Sequence, residues 1–272
     1  MTTATIVPGA ERVLPNRVGL GQTLANSFSM AWRGLIRMYR RPEQLIDVTL
    51  QPIIFLLLFT YVFGGAISGG SQHDYLQFLL PGILAQTIAM GGIAIGVNLN
   101  TDIDKGVFDR FRSLPIARSA PLIGAVLADI VRYVIVCVVI VGFGYVLGYR
   151  AGTSAPEVLA GCLLAVAFAL CFCWGAVFAG MIARTPGAVQ GIMMLLVLPL
   201  SFASSTFVPT ATMPGWLQAV VDVNPLTHLI GAERALLGGA PMGSHLLWTF
   251  AWMAGLLAVF VPLALRAYGR RA

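Results

Sequence analysis

"ALCFCWGAVFAGMIARTPGAVQGIMMLLVLPLSF", residues 169–202, contains a single charged side chain, Arg184. Such a run is too apolar for a water-facing surface and too long for one helix, since a hydrocarbon core takes about 20 apolar residues per crossing. At its centre "ARTPG" (residues 183–187) sets Arg, Pro and Gly side by side, so the run divides into two helices that share a tight turn. Working outward, four further runs have the same character, which makes six: residues 45–63, 76–99, 122–149, 158–182, 188–207 and 246–265. Each is bounded by Gly, Pro or charge, as helix ends are. The expected fold is all-α and membrane-integral, with six transmembrane helices. Composition agrees, with 58% hydrophobic residues and only 17 Lys or Arg and 11 Asp or Glu in 272 residues, which excludes an ordinary soluble domain.

The net charge of +6 does not indicate nucleic acid, because the basic residues lie between apolar spans and not on one contiguous face. They follow the positive-inside rule instead. With the N-terminus inside, 14 of the 17 basic residues fall in inner segments; Arg150 and Arg234 lie outside, and Arg132 lies within the third span. The chain is therefore expected in the cell membrane with both termini cytoplasmic. "MTTATIVPGAERVLPNR" (residues 1–17) is polar and contains acid and proline, unlike a cleavable signal. The four Cys all lie in apolar runs without zinc-site or disulfide-framework spacing.

Flanking segments complete the plan. After a tail over residues 1–19, "LANSFSMAWRGLIRMYRR" (residues 24–41) sets Leu24, Phe28, Ala31, Leu35 and Met38 against Arg33, Arg37, Arg40 and Arg41. This predicts an amphipathic interfacial helix over 20–41, its arginines toward anionic lipid. The membrane domain is placed at 45–267, with a short tail at 268–272. Within it, the outer stretch 208–243 is broken by Pro209, Pro214 and Pro225, and Trp216 with its neighbours gives one piece an apolar face. A re-entrant reading requires that protein or water satisfy its broken backbone.

Catalytic patterns are absent from the sequence. There is no nucleophile elbow and no H-E-x-x-H, and His73, His228 and His245 lack the spacing of a metal site. A phosphate-binding loop is excluded, because the only lysine, Lys105, stands between Asp104 and Gly106. No enzyme activity, cofactor or metal is therefore expected on this chain. Ionisable groups within spans are better leads. Asp129 and Arg132 are three residues apart and share a helical face, which predicts an ion pair. Asp47 can pair with Arg40 or Arg41, and Gln51-Pro52 brings a polar group and a kink into the first span.

One inner loop differs from the rest. "LNTDIDKGVFDRFRSLPIARSAP" (residues 99–121) gathers three Asp, three Arg and the only Lys. Acids first (Asp102, Asp104) and arginines later (Arg110, Arg112) complement a helix dipole, with Asn100 or Thr101 as N-cap, which predicts a short helix over 100–115. Val107, Phe108, Phe111 and Leu114 share one face of it. Two phenylalanines rimmed by both signs of charge suit a protein groove better than anionic lipid.

"RRPEQLIDVTLQPIIFLLLFTYVFGG", "YLQFLLPGILAQT", "GVFDRFRSLPIARSAP" and "NPLTHLIGAERALLGG", in this order and spacing, resemble the permease subunits of ATP-binding-cassette type 2 exporters, and most of all the daunorubicin/doxorubicin resistance permeases. The resemblance spans residues 41–239. It implies a homodimeric membrane subunit paired with two copies of a separate ABC ATPase subunit, which carries the ATP and Mg. It implies a coupling helix over Asp102, Asp104, Lys105, Phe108, Phe111 and Arg112, a second contact at Arg184, and a connecting helix before the first span. It places the substrate path on spans one, two and five, nominating Gln51, Phe55, Phe59, Gln86, Met90, Met193, Leu196 and Phe202, with an outer gate from Trp216 to Asn224. The implied function is export of an amphiphilic drug or antibiotic by alternating access. A polysaccharide, glycan or lipid cargo is the alternative; it would favour aromatic rings and polar groups at repeated heights, whereas these candidates are mostly aliphatic, Met and Phe. A lipid-modifying membrane enzyme would need an acid or His cluster near one face, and Asp102, Asp104 and Asp109 of the inner loop have no counterpart elsewhere.

Overall fold

The computed structural model describes residues 29, 31, 32, 34, 36, 42–67, 71–107 and 120–271. Each of the six apolar runs is helical over most of its length, the third leaving the helix after Leu147 and the fifth after Phe202. The first is α1 (Pro42–Leu58), which continues through a π-helical segment (Phe59–Phe63) into a final turn, Gly64–Ile67. Then come α2 (Gln72–Asp104), α3 (Ala120–Leu147), α4 (Ala155–Ile182) and α5 (Pro186–Phe202). Between α5 and the last helix lie a 3₁₀ turn (Thr210–Thr212), α6 (Gly215–Val223) and α7 (Pro225–Gly238), followed by α8 (His245–Arg271). Among the described residues four helices (α2, α3, α4 and α8) are long and apolar enough to cross a membrane, while the apolar parts of α1 and α5 are shorter.

Helix starts follow local chemistry. Ser71 Oγ accepts from Asp74 N at 3.2 Å to open α2, and Ser154 with Glu157 forms a capping box at α4. The "ARTPG" turn works as Thr185 N-cap, Oγ1 accepting from Ala188 N at 3.2 Å, followed by Pro186 at the first helical position. Asn224 and Pro225 repeat this device at α7, where Asn224 Oδ1 accepts from Leu226 N at 2.9 Å. Three of the four prolines in residues 208–243 thus start elements: Pro209 precedes the 3₁₀ turn, Pro214 precedes α6 and Pro225 opens α7.

α2 is the axis of the bundle, packed against α1, α3, α4, α5 and α7. Glycine lets backbones meet along it. A Cβ on Gly96 would lie 2.4 Å from the Ala176 carbonyl oxygen, and one on Gly180 2.6 Å from that of Gly96. With no hydrophobic drive between helices in lipid, such close packing is what holds them. α8 packs on α4 and α7 and leaves most of its apolar surface outward, Leu247 being 73% exposed.

The inner loop needs one correction. Asn100 and Thr101 are not an N-cap: α2 runs uninterrupted through both to Asp104, Thr101 Oγ1 donating to Val97 O at 2.8 Å as an interior residue. Lys105 caps the C-terminus and Gly106 turns the chain at φ +65°. A long apolar helix propagates more readily than a new one nucleates, so the polar residues ride on its last turn. Phe108, Phe111 and Arg112 lie outside the described residues, as does the side chain of Asp47. Of the N-terminal amphipathic segment, Ser29, Ala31, Trp32, Gly34 and Ile36 are helical, and Gly34 approaches α3, where an added Cβ would lie 2.6 Å from the Ala128 Cβ.

Candidate functional site

Polar side chains are scarce in the bundle, so where they converge is informative. Gln51 and Phe55 of α1 and Gln86, Thr87 and Met90 of α2 line a cleft of about 130 Å³. Gln51 is exposed and Gln86 buried, and Pro52 within α1 also borders the cleft. The floor includes Gly91, whose carbonyl accepts from Arg132 Nη2 at 2.6 Å. The same guanidinium pairs with Asp129, one turn earlier on α3. The intramembrane pair is therefore also a tether between α3 and α2.

Above the cleft the aromatic residues continue as a ladder. Phe55 and Phe59 stand 6.1 Å apart, Phe59 stacks on Phe207 at 4.4 Å, and Phe207 stacks on Phe202 at 5.2 Å. This joins α1 to the outer end of α5. Offset aromatic pairs at these separations are attractive and present flat apolar faces. Leu196 lies instead on a second groove of about 650 Å³, open between α5, α6 and α8 and bordered by Leu200, Val220, Val223 and Trp252. Met193 does not reach either surface; it is buried in the core, because its face of α5 packs with Ala85, Ala89 and Val197.

After α5 an irregular stretch is enclosed by protein. Ser204, Ser205, Thr206 and Phe207 are all buried, and several of their polar groups are met by protein. Ser204 Oγ donates to Ser201 O at 2.6 Å, and Tyr75 Oη to Phe207 O at 3.0 Å. Arg234 of α7 supplies most of the clamp. Its Nη2 donates to Ser205 O at 2.6 Å and its Nε to Phe78 O at 3.2 Å, while the guanidinium lies 3.6 Å over the Phe78 ring. Asn224 completes the arrangement from the α6–α7 joint, Nδ2 donating to Leu200 O and Ala203 O at 2.7 and 2.6 Å. These are the end carbonyls of α5, which a helix cannot satisfy itself. Trp216, by contrast, is 72% exposed on α6.

Sequence spacing gave no sign of two further features here. His228 of α7 and His245 of α8 approach to 3.3 Å between Nδ1 atoms, with Trp248 stacked on His228. Burial, then the neighbouring His245, lowers the His228 pKa below its usual value. His73 is exposed elsewhere, and among the described residues no group of three His, Cys, Asp or Glu gathers into a metal site. Glu233 is fully buried with neither carboxylate oxygen hydrogen-bonded, and burial raises its pKa well above the carboxylate range. The "ER" pair at 233–234 read as part of an outer loop; only the packing of α7 takes it inside. The four cysteines are free thiols, three of them buried.

At the C-terminal end of α2 its last residue, Asp104, and the capping Lys105 are exposed, and Arg184 is exposed on the α4–α5 turn. Asn100 lies between these two points, fully buried. Its Nδ2 donates to Gly180 O and to Ala183 O, each at 2.9 Å.

Known proteins match this chain along most of its length. It is 43% identical over 237 residues to the daunorubicin resistance ABC transporter permease protein DrrB1 of Streptomyces coeruleorubidus, covering 87% of this chain and 83% of that one. It is 28% identical over 219 residues to the doxorubicin resistance ABC transporter permease protein DrrB of Mycobacterium tuberculosis, covering 74% of this chain and 76% of that one. Both are named as ABC transporter permease proteins. Residues 26–237 match the sequence model described as ABC-2 type transporter, and they include the cleft, the outer clamp and the inner turn. The chain belongs to the ABC-2 type transporter family.

Proposed function

We propose that this chain is the membrane subunit of an ATP-driven exporter of amphiphilic, ring-bearing drugs, working by alternating access. The observation that carries this reading is the cleft between α1 and α2, where Gln51 and Gln86 supply amides beside Phe55 and Met90, continued outward by the Phe59–Phe207–Phe202 ladder. Flat apolar faces with a few placed polar groups suit a planar amphiphile. The names of the two relatives, resistance permeases for daunorubicin and doxorubicin, point to the same class.

Six crossings complete the architecture. α5 has 17 residues, about 26 Å of helix. The buried stretch Ser204–Phe207 carries its path deeper into protein, and the π-helical continuation of α1 does the same at the first crossing. Positive-inside asymmetry sets both termini in the cytoplasm. Two copies pair, and two separate ABC ATPase subunits bind the inner loop and the Arg184 turn, holding the ATP and Mg. ATP-driven closure of that pair rocks the bundles between inward- and outward-open states, and α6 with Trp216 and Asn224 borders the outer exit.

The test is export. The permease is produced with an ABC ATPase subunit in drug-sensitive cells, and daunorubicin accumulation is followed with and without energy supply. An energy-dependent fall in accumulation is expected. Unchanged accumulation in cells where the two subunits assemble overturns the drug reading and turns attention to glycan or lipid cargo.

A further inference from the structure

The two inner points assigned to the ATPase are separate in sequence, 79 positions apart from Lys105 to Arg184. Asn100 connects them. It sits one turn before the end of α2, fully buried, with both amide hydrogens committed to the inner end of α4. One goes to Gly180 O and the other to Ala183 O, each at 2.9 Å. A helix leaves its last carbonyls without intrahelical donors. Asn100 therefore acts as a C-cap for α4 delivered from another helix. Beside it the backbones touch: the Gly180 and Gly96 sites have no room for a Cβ, and Val189, in the first turn of α5, lies 3.0 Å from where a Gly96 Cβ would be. Three helices thus meet at one inner node.

We infer that Asn100 is a positioning residue that welds the inner ends of α2 and α4, so that the inner loop and the Arg184 turn move as one handle when the ATPase closes. This rests on the proposed ATP-driven export and adds the joint through which it works. A side chain of similar size without donors, as in Asn100→Leu, removes the two hydrogen bonds that tie the end of α2 to Gly180 O and Ala183 O. That favours separation of the α2 and α4 ends there. The stroke is then spent on opening the node instead of moving the bundle.

The experiment uses the permease with its ATPase subunit in vesicles, measuring drug moved and ATP hydrolysed together. For Asn100→Leu, assembly and ATP hydrolysis persist, and drug moved per ATP falls about tenfold, the effect of ~1.4 kcal/mol. A lower amount of folded protein would reduce both rates alike and leave the ratio untouched. An unchanged ratio in the assembled variant overturns the joint. In the otherwise native protein, spin labels at Lys105 and Arg184 give a check that does not depend on the variant folding. Their separation is expected to stay constant when ATP is added, and an ATP-dependent change overturns the single-handle reading. Absence of ATP-driven export by the native complex overturns the proposed function itself and is recognised before any variant is made.

Discussion

Glu233 is the residue whose setting is hardest to reconcile with an ionised side chain. Its carboxyl is enclosed in α7 with no hydrogen-bond partner, and burial, followed by the nearby Cys162 thiol, raises its pKa well above the ordinary value. The folded state therefore keeps a proton that the unfolded chain releases above about pH 4.3. Because the folded form binds more protons, stability falls as pH rises from there toward the raised value. Thermal unfolding in detergent from about pH 5 to 8 is expected to show this decline in the native protein and a flatter profile in Glu233→Gln. A neutral amide of the same shape is expected to leave the fold intact, while Glu233→Lys prevents it, since a long cation has no counter-charge at this site. Asp129 and Arg132 give the opposite case, a charged pair held by proximity. Asp129→Asn leaves the Arg132 guanidinium buried without its carboxylate and is expected to cost about 3 kcal/mol, read as loss of folded yield and a lower Tm. The i,i+3 spacing made that pair legible in the sequence. The third partner, the Gly91 carbonyl on α2, was not, because nothing in either segment says that they are neighbours.

Among the elements, α2 and α4 depend on contact too close for any side chain. Gly96→Val sets atoms where the Ala176 carbonyl already stands, and the helices must part; a loss of about 3 kcal/mol or failure to accumulate is expected. Gly255→Ala on α8 is the control, since no atom lies within 4 Å of its added Cβ, and it is expected to be neutral or slightly stabilising in the same melt. The outer clamp depends instead on one planar cation. Arg234→Lys keeps the charge but loses the fork to Ser205 and Phe78 and the stack on the Phe78 ring. Faster proteolysis of the segment between α5 and α7 in the intact permease is the expected result. The helices themselves were legible from apolar runs and their Gly, Pro and polar boundaries. One helix start was misplaced: a charged loop read as a new helix from Asn100, whereas α2 simply continues to Asp104; the fifth run, read to 207, leaves its helix at Phe202.

For the whole molecule, the proposed export function assigns cargo contact to the cleft and its ladder. Gln51→Leu together with Phe55→Ala is expected to raise the drug concentration for half-maximal export about tenfold, the equivalent of ~1.4 kcal/mol of binding, with drug-independent ATP hydrolysis unchanged. Four of the eight path residues named from family position border that one cleft, and Phe59 and Phe202 extend it. Met193 does not, since family position identifies a helix but not which of its faces is buried.

The sequence by itself determined that the chain is a helical membrane protein, where its apolar runs lie, and that the phosphate-binding-loop pattern does not occur in it. These are properties of composition and local order, because hydrocarbon demands long apolar helices whatever their neighbours. Only the tertiary structure decided which faces meet: Arg132 on Gly91, Arg234 on Ser205, His228 beside His245, and Asn100 on the end of α4. Each joins residues from helices with little hydrophobic pattern to orient them, since lipid and core are equally apolar. Helix rotation in such a bundle is set by glycine contacts and a few polar bonds, and these exist only once the helices are side by side.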